Sequence, residues 1–240
     1  MNFKFSRDFK NKTYILTGYS NGIGKQIYEN LNELGSKVIL IGRKKIKNKK
    51  IFSCDLSNST KLDLLCKSIS NKISTIDGIV HCAGINNSVK ISKISIQEWN
   101  NIFSVNLTSA FIISKNFKKN LIRSKNPSIV FVSSIAGHRK SVVSGAHYVA
   151  SKAGLIGLSK QLSHEFGKSK IRVNCISPSQ TTTNMLKKSM SLKQRKKLIK
   201  SIPLGRLASP QDQSNGVLFL LSSISNYISG TSINIDGGQI

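Results

Sequence analysis

Thr17-Gly18-Tyr19-Ser20-Asn21-Gly22-Ile23-Gly24 is the stretch that decides how this chain folds. Before it lies a short β-type run, Thr13–Thr17. After it, Ile27, Leu31 and Leu34 recur at helical spacing until Gly35 ends the pattern. Strand, glycine loop and helix follow without a break. Gly18 permits the tight turn, Gly22 lets the backbone approach a phosphate chain, and Gly24 lets the helix pack closely on the strand. The N–H groups at the helix start are then placed to receive phosphates. The spacing G-x-x-x-G-x-G departs from the common G-x-G-x-x-G, so the generic motif is a poor match.

Outward from this unit, β-type runs alternate with longer helical patterns. Further strands are expected at Lys37–Ile41, Lys50–Ser53, Gly78–Cys82, Ser128–Ser133, Arg172–Ile176 and Ser232–Ile235. Helices are expected over Ser59–Ile73, over a long buried stretch carrying Trp99, Ile102, Phe103, Leu107 and Phe111, and over Ala146–Gly167. The alternation implies an α/β chain: a Rossmann-like, doubly wound, parallel seven-stranded sheet flanked by helices, with residues 1–240 as a single domain. One interval is short. Roughly eight residues, almost all basic, separate the second strand from the third, too few for a crossover helix, so a loop or single turn is expected there.

Hydrophobic residues make up 39% of the 240, which argues against disorder. No apolar run reaches the ~18 residues of a membrane span, and the start lacks an apolar signal region, so a cytoplasmic protein is expected. Cys54, Cys66, Cys82 and Cys175 lack metal-ligand spacing and read as reduced core thiols; no metal is expected. The charge is unusual, with 37 basic residues against 10 acidic ones for a net +27. Arg43 to Lys50 and Lys187 to Lys200 concentrate it. Such a field draws anionic partners, although a lysine-rich solvated surface is the plainer reading.

Tyr148 and Lys152, in Tyr148-Val149-Ala150-Ser151-Lys152, share one helix face. A free phenol, with a pKa of about 10, handles protons poorly at neutral pH. An adjacent ammonium favours the phenolate and moves that value toward working range.

With these segments in hand, the chain resembles the short-chain dehydrogenases/reductases, over nearly its whole length. The likeness is carried by the glycine loop, Cys54-Asp55-Leu56, Cys82-Ala83-Gly84, Val105-Asn106-Leu107, Ser133-Ser134, Tyr148-x-x-x-Lys152, Arg172-Val173-Asn174, Pro203-Leu204-Gly205-Arg206 and Asp236-Gly237-Gly238. Within that family it is most similar to the 3-oxoacyl-[acyl-carrier-protein] reductases of fatty acid biosynthesis and to related sugar or polyol dehydrogenases. The resemblance implies that Tyr148 exchanges the proton, Ser134 holds the substrate oxygen, Lys152 also binds the nicotinamide ribose, and Asn106 supports a water-linked proton path. It implies cofactor contacts from Gly18, Ser20, Asn21, Gly22, Ile23 and Gly24, from Asp55 and Leu56 at the adenine, and from Ala83 and Gly84 at the ribose. Pro178, Thr181 and Thr183 would meet the carboxamide end. A homotetramer, built through the helices on either side of the fifth strand and the C-terminal segment, is implied as well.

No acid stands at the end of the second strand, in Ile41-Gly42-Arg43-Lys44, where it would grip a ribose 2′-hydroxyl. Arg43 suits a 2′-phosphate, so NADP(H) is expected over NAD(H), although Asn21 stands where many NADP-using relatives carry a base. Met185, Leu186, Met190, Leu192 and Leu198 occupy the family's substrate lid as an apolar inner face with bases outside. That pattern suits an acyl chain on an acidic carrier protein. A sugar, polyol or nucleotide-sugar substrate is the alternative, and a non-catalytic dinucleotide sensor or nucleic-acid binder a third; no specific nucleic-acid motif is present. Three departures stand out. His81-Cys82 replaces the usual pair of asparagines, with His81 read as a packed sheet residue, and Pro178-Ser179 replaces Pro-Gly. The Ser134-to-Tyr148 interval is long and brings His138, Arg139 and Lys140 toward the expected substrate mouth.

Overall fold

The computed structural model describes residues 5–44, 51–183, 186 and 192–240. Seven strands form one all-parallel sheet: β1 (Thr13–Thr17), β2 (Lys37–Gly42), β3 (Ile51–Ser53), β4 (Gly78–His81), β5 (Ser128–Val132), β6 (Arg172–Pro178) and β7 (Ser232–Ile235). Their order across the sheet is β3-β2-β1-β4-β5-β6-β7. The order reverses between β1 and β4, and that switch point opens a crevice at the strands' C-terminal ends. The expected strands all form, several differing by one residue at an end and β6 running two residues further, to Pro178.

Residues in β4 and β5 are buried on both faces, as parallel strands covered by helices must be. On one face α2 (Ser59–Lys72), α4 (Ser109–Leu121) and α5 (Ala146–Gly167) bury Leu62, Cys66, Ile113, Phe117 and Leu155 against Ile79, Ile129 and Val173. On the other, α1 (Gly22–Glu33) and α7 (Pro210–Leu221) bury Ile27, Leu31, Val217 and Leu221 against Leu16, Val80 and Ile176. Each such aliphatic side chain contributes about 1.5–3 kcal/mol. Arg172 enters β6 buried and donates to the carbonyl oxygens of Leu220 at 2.7 Å and Ser222 at 3.1 Å. It thereby satisfies the orphan acceptors at the end of α7.

The long helix expected before β5 is instead two helices, α3 (Ile96–Phe103) and α4, joined by a π turn over Ser104–Thr108. One extra residue in that turn rotates α4 relative to α3, so Phe111 is 47% exposed and not part of the core. Residues 45–50, where the short crossover falls, lie outside the described set, as do Met185 and Met190 of the expected lid. Leu186 is buried, and Leu198 in α6 (Leu192–Ile199) is half-buried.

Candidate active site

Two helix starts frame the crevice. At the first, the glycine loop carries the chain from β1 into α1. Gly18 has φ +73, and a Cβ there would stand 2.5 Å from the Ala83 nitrogen, so the loop after β1 touches the loop after β4 backbone to backbone. A Cβ on Gly24 would collide with the Gly18 carbonyl oxygen. The N-cap residue Asn21 is extended and makes no capping bond; its side-chain nitrogen donates to the Ser20 hydroxyl at 3.3 Å. Among the described residues, the first-turn N–H groups of α1 therefore have no side-chain partner, a cradle that fits a pyrophosphate. Thr183 closes it from above, with its methyl 2.8 Å from the position of a Gly22 Cβ.

The remaining cofactor candidates surround this loop. Ala83 donates its N–H to the Thr17 hydroxyl at 3.2 Å. Asp55 accepts from the Ser57 N–H at 3.0 Å and hydroxyl at 2.8 Å, bonds that hold its carboxyl below the usual range. Arg43 reaches Asp55 at 3.5 Å on the surface, and Leu56 is buried beside it. Pro178 ends β6 opposite Ile235, and the Thr181 hydroxyl donates to the Ser179 carbonyl oxygen at 3.1 Å. An open cavity of about 610 Å³ borders Asp55 between β3 and α2, lined also by Asn58, Lys61 and Leu64. No proton-handling candidate lines it.

At the second helix start, α5 brings Tyr148 and Lys152 in behind β5. The Lys152 ammonium is 5.7 Å from the Tyr148 ring centre and donates to the Val132 carbonyl oxygen at 2.7 Å. A Cβ on Gly84 would lie 3.3 Å from that ammonium and 3.6 Å from the Asn106 side-chain oxygen, so the glycine leaves room at this junction. Asn106, buried in the π turn, accepts from the Ile85 N–H at 2.9 Å and donates to the Ile85 carbonyl at 3.0 Å and the Ser151 hydroxyl at 3.0 Å. Ser134 begins the 3₁₀ turn Ile135–Gly137, where its hydroxyl accepts from the Ala136 N–H at 3.1 Å. Ser134, Tyr148, Lys152 and Asn106 thus converge from β5, α5 and the π turn.

Charge at this cluster differs from the simple expectation. Burial raises the Tyr148 pKa, with the Ser134 hydroxyl pulling the other way. Burial also lowers Lys152 to about 8. The ammonium faces the tyrosine ring and the Val132 carbonyl oxygen, and desolvation is the largest influence on the phenol. His81 is a packed sheet residue, as expected. Its Nε2 lies 2.6 Å from the Ser109 hydroxyl, and burial lowers its pKa to about 3. The cysteines are free thiols, Cys82 half-buried and the others buried.

Three features escaped the sequence reading. His147 is fully buried; its Nδ1 accepts the backbone N–H of Tyr148 at 2.9 Å, and its Nε2 lies 3.3 Å from Glu98 Oε1. Asn87 donates to that same oxygen at 2.6 Å. The only sequence trace of this link is Ser95-x-x-Glu98, which reads as a helix start. Tyr19 forms the second feature, its hydroxyl donating to the Lys44 carbonyl oxygen at 2.7 Å. Third, His138 turns to the hydroxyls of Ser177 at 3.0 Å and Ser232 at 3.2 Å, and Arg139 to the Gln239 carbonyl at 3.0 Å. These two exposed side chains are engaged with β6, β7 and the C-terminal segment.

Comparison with known proteins matches residues 18–239 to the family model described as enoyl-(acyl carrier protein) reductase. The 3-oxoacyl-[acyl-carrier-protein] reductase FabG of Rickettsia typhi is 35% identical, over 97% of this chain and 98% of its own. A short-chain dehydrogenase of Leptospira borgpetersenii, solved with bound NAD+, superposes with a TM-score of 0.90 at 28% identity, over 100% of this chain and 96% of the other. The ligand-free aldohexose dehydrogenase of Thermoplasma acidophilum gives 0.88 at 30% identity, over 97% and 95%.

Proposed function

The chain belongs to the short-chain dehydrogenase/reductase family of NAD(P)-dependent oxidoreductases, and on that premise we propose that it reduces a 3-oxoacyl thioester carried by an acyl carrier protein, using NADPH. The observation that carries this reading is the convergence of Ser134, Tyr148, Lys152 and Asn106 beside Gly84, directly across from the glycine cradle.

In the reductive direction Ser134 holds the carbonyl oxygen, and Tyr148 delivers its phenolic proton to that oxygen. A nicotinamide dinucleotide, when bound, supplies the hydride. Lys152, its ammonium 5.7 Å from the ring centre, steadies the phenolate left on Tyr148. Asn106 fixes the backbone at Ile85 and, through Ser151, the same turn of α5, which keeps the proton-handling groups in register. Arg43 receives the ribose 2′-phosphate and Asp55 the adenine. The bases of α6, among them Arg195, Lys196 and Lys197, attract the acidic carrier. Residues 1–240 act as one unit in this reading.

Assembly and location follow the same reasoning. Phe111 on α4 and Ile122 just beyond it are 47% and 49% exposed, and Gly157 of α5 faces open space, a surface suited to a homotetramer. No helix among the described residues is long and apolar enough to cross a membrane, in keeping with a cytoplasmic enzyme.

NADPH oxidation tests the proposal, with carrier-bound 3-oxoacyl thioesters, their N-acetylcysteamine analogues and a panel of sugars. The carrier-bound substrate is expected to give the highest kcat/KM, falling steeply with salt while the neutral analogue's does not. Equal turnover of both at all ionic strengths overturns the carrier reading. The likeness to an aldohexose dehydrogenase favours a second reading, a sugar or polyol substrate, which higher kcat/KM on an aldose would establish.

A further inference from the structure

Resting on the NADP(H) reading above, we propose that Tyr19 is a specificity-determining residue, one that reserves the ribose 2′ subsite for a phosphate. Tyr19 belongs to the glycine loop, yet its side chain leaves the crevice and packs at 2% exposure in the core cluster that contains Leu40, with Ile51 against it. There it makes two contacts with the end of β2. Its hydroxyl donates to the Lys44 carbonyl oxygen at 2.7 Å. Its ring lies against Gly42, where a Cβ would stand 3.1 Å from Cε1 and 3.4 Å from the hydroxyl oxygen. One side chain therefore ties the loop that cradles the pyrophosphate to the strand end that meets the ribose.

Two consequences bear on the 2′ group. Arg43 sits between Gly42 and Lys44, so the Tyr19 anchor holds the backbone on both sides of the guanidinium, which is itself 74% exposed and pairs with Asp55 only at 3.5 Å. Burial raises the Tyr19 pKa, so the phenol remains a donor throughout the neutral range. A carboxylate at position 42, the group that would select a free 2′-hydroxyl, meets the Tyr19 ring before its oxygens are placed. Shape disfavours the acid and charge favours the phosphate.

Calorimetric titration of the ligand-free protein with NADP+ and with NAD+ tests this, alongside thermal melting. The wild type is expected to bind NADP+ at least about tenfold more tightly. Tyr19→Phe keeps the ring and removes only the anchor. It should shrink that ratio about three- to tenfold, through weaker NADP+ binding, with NAD+ affinity within about twofold. Gly42→Asp should lower Tm without tightening NAD+, whereas Tyr19→Ala/Gly42→Asp should bind NAD+ more tightly than Gly42→Asp does. An NADP+/NAD+ ratio unmoved by Tyr19→Phe in a protein that does discriminate overturns the inference alone. A wild-type ratio near one overturns the cofactor reading and the inference with it. Should the Ala variant fail to fold, the Tyr19→Phe arm decides by itself.

Discussion

Helices α1 and α5 both begin without a capping side chain at the N-cap, Asn21 in one and Gly145 in the other, yet the two ends are finished differently. At α1 the first-turn N–H groups have no side-chain partners among the described residues. At α5 the N–H of Tyr148 is claimed twice, by the Gly145 carbonyl at 3.1 Å and by the His147 imidazole at 2.9 Å. The other helix starts described with an N-cap outside a continuing helix, those of α2, α3 and α7, are capped by Asn58, Ser95 and Ser209. An open helix end receives an anion; a closed one holds a side chain still. The molecule thus places binding and proton transfer on two helix termini of opposite finish, on either side of the switch point between β1 and β4.

The sharpest way to separate the two ends is Tyr148→Phe. It should cut kcat by at least about a hundredfold while dinucleotide affinity, measured by titration, stays within about threefold. Turnover retained in this variant would end the proposed role. Lys152→Met tests the cost of burying a cation at the closed end. The folded pKa of about 8 lies below the unfolded 10.5, so the unfolded chain binds more protons between those values. Stability from this group therefore rises with pH across that window, and below pH 8 the full penalty applies. The variant should melt higher at pH 7, by at most about 3 kcal/mol, and lose that advantage as pH approaches 10.5. A Tm gain that does not change with pH would point to packing instead.

Smaller effects come from the finishing groups themselves. His147→Leu removes one of the two acceptors on the Tyr148 N–H, together with the contact to Glu98, and should cost about 1–2 kcal/mol in chemical denaturation, with kcat falling more than KM changes. His147→Asn, which still offers an acceptor, should recover part of kcat. Closing the open end is the converse. Asn21→Asp supplies a charged cap to α1 and should raise stability by up to about 1 kcal/mol while weakening dinucleotide binding several-fold. If binding were unaffected, the open terminus would not be the phosphate site.

The two ends were unequally legible. The glycine loop and the Tyr148/Lys152 pair were read from local spacing because each depends on neighbours a few residues away, whereas Ser134 and Asn106 came only through the family resemblance. The strands were legible from local pattern too, as short apolar runs bounded by turns. Glu98 and His147 were not, since they meet only after α3 and α5 pack together. The π turn also left no trace: Trp99, Ile102 and Phe103 keep a helical rhythm whether or not one extra residue is inserted after them. Phe111, expected in the buried stretch, lies beyond that turn and is exposed.

By itself, the sequence determined the alternation of strand and helix, the glycine turn, and a phenol one turn from an ammonium, because all of these are short-range consequences of side-chain size, period and backbone freedom. The tertiary structure decided the rest: that burial lowers Lys152 and raises Tyr148, that His147 closes one helix while α1 stays open, and that Tyr19 spans two strands' ends. Desolvation and contact between distant segments exist only once the layers have closed, so no local pattern encodes them.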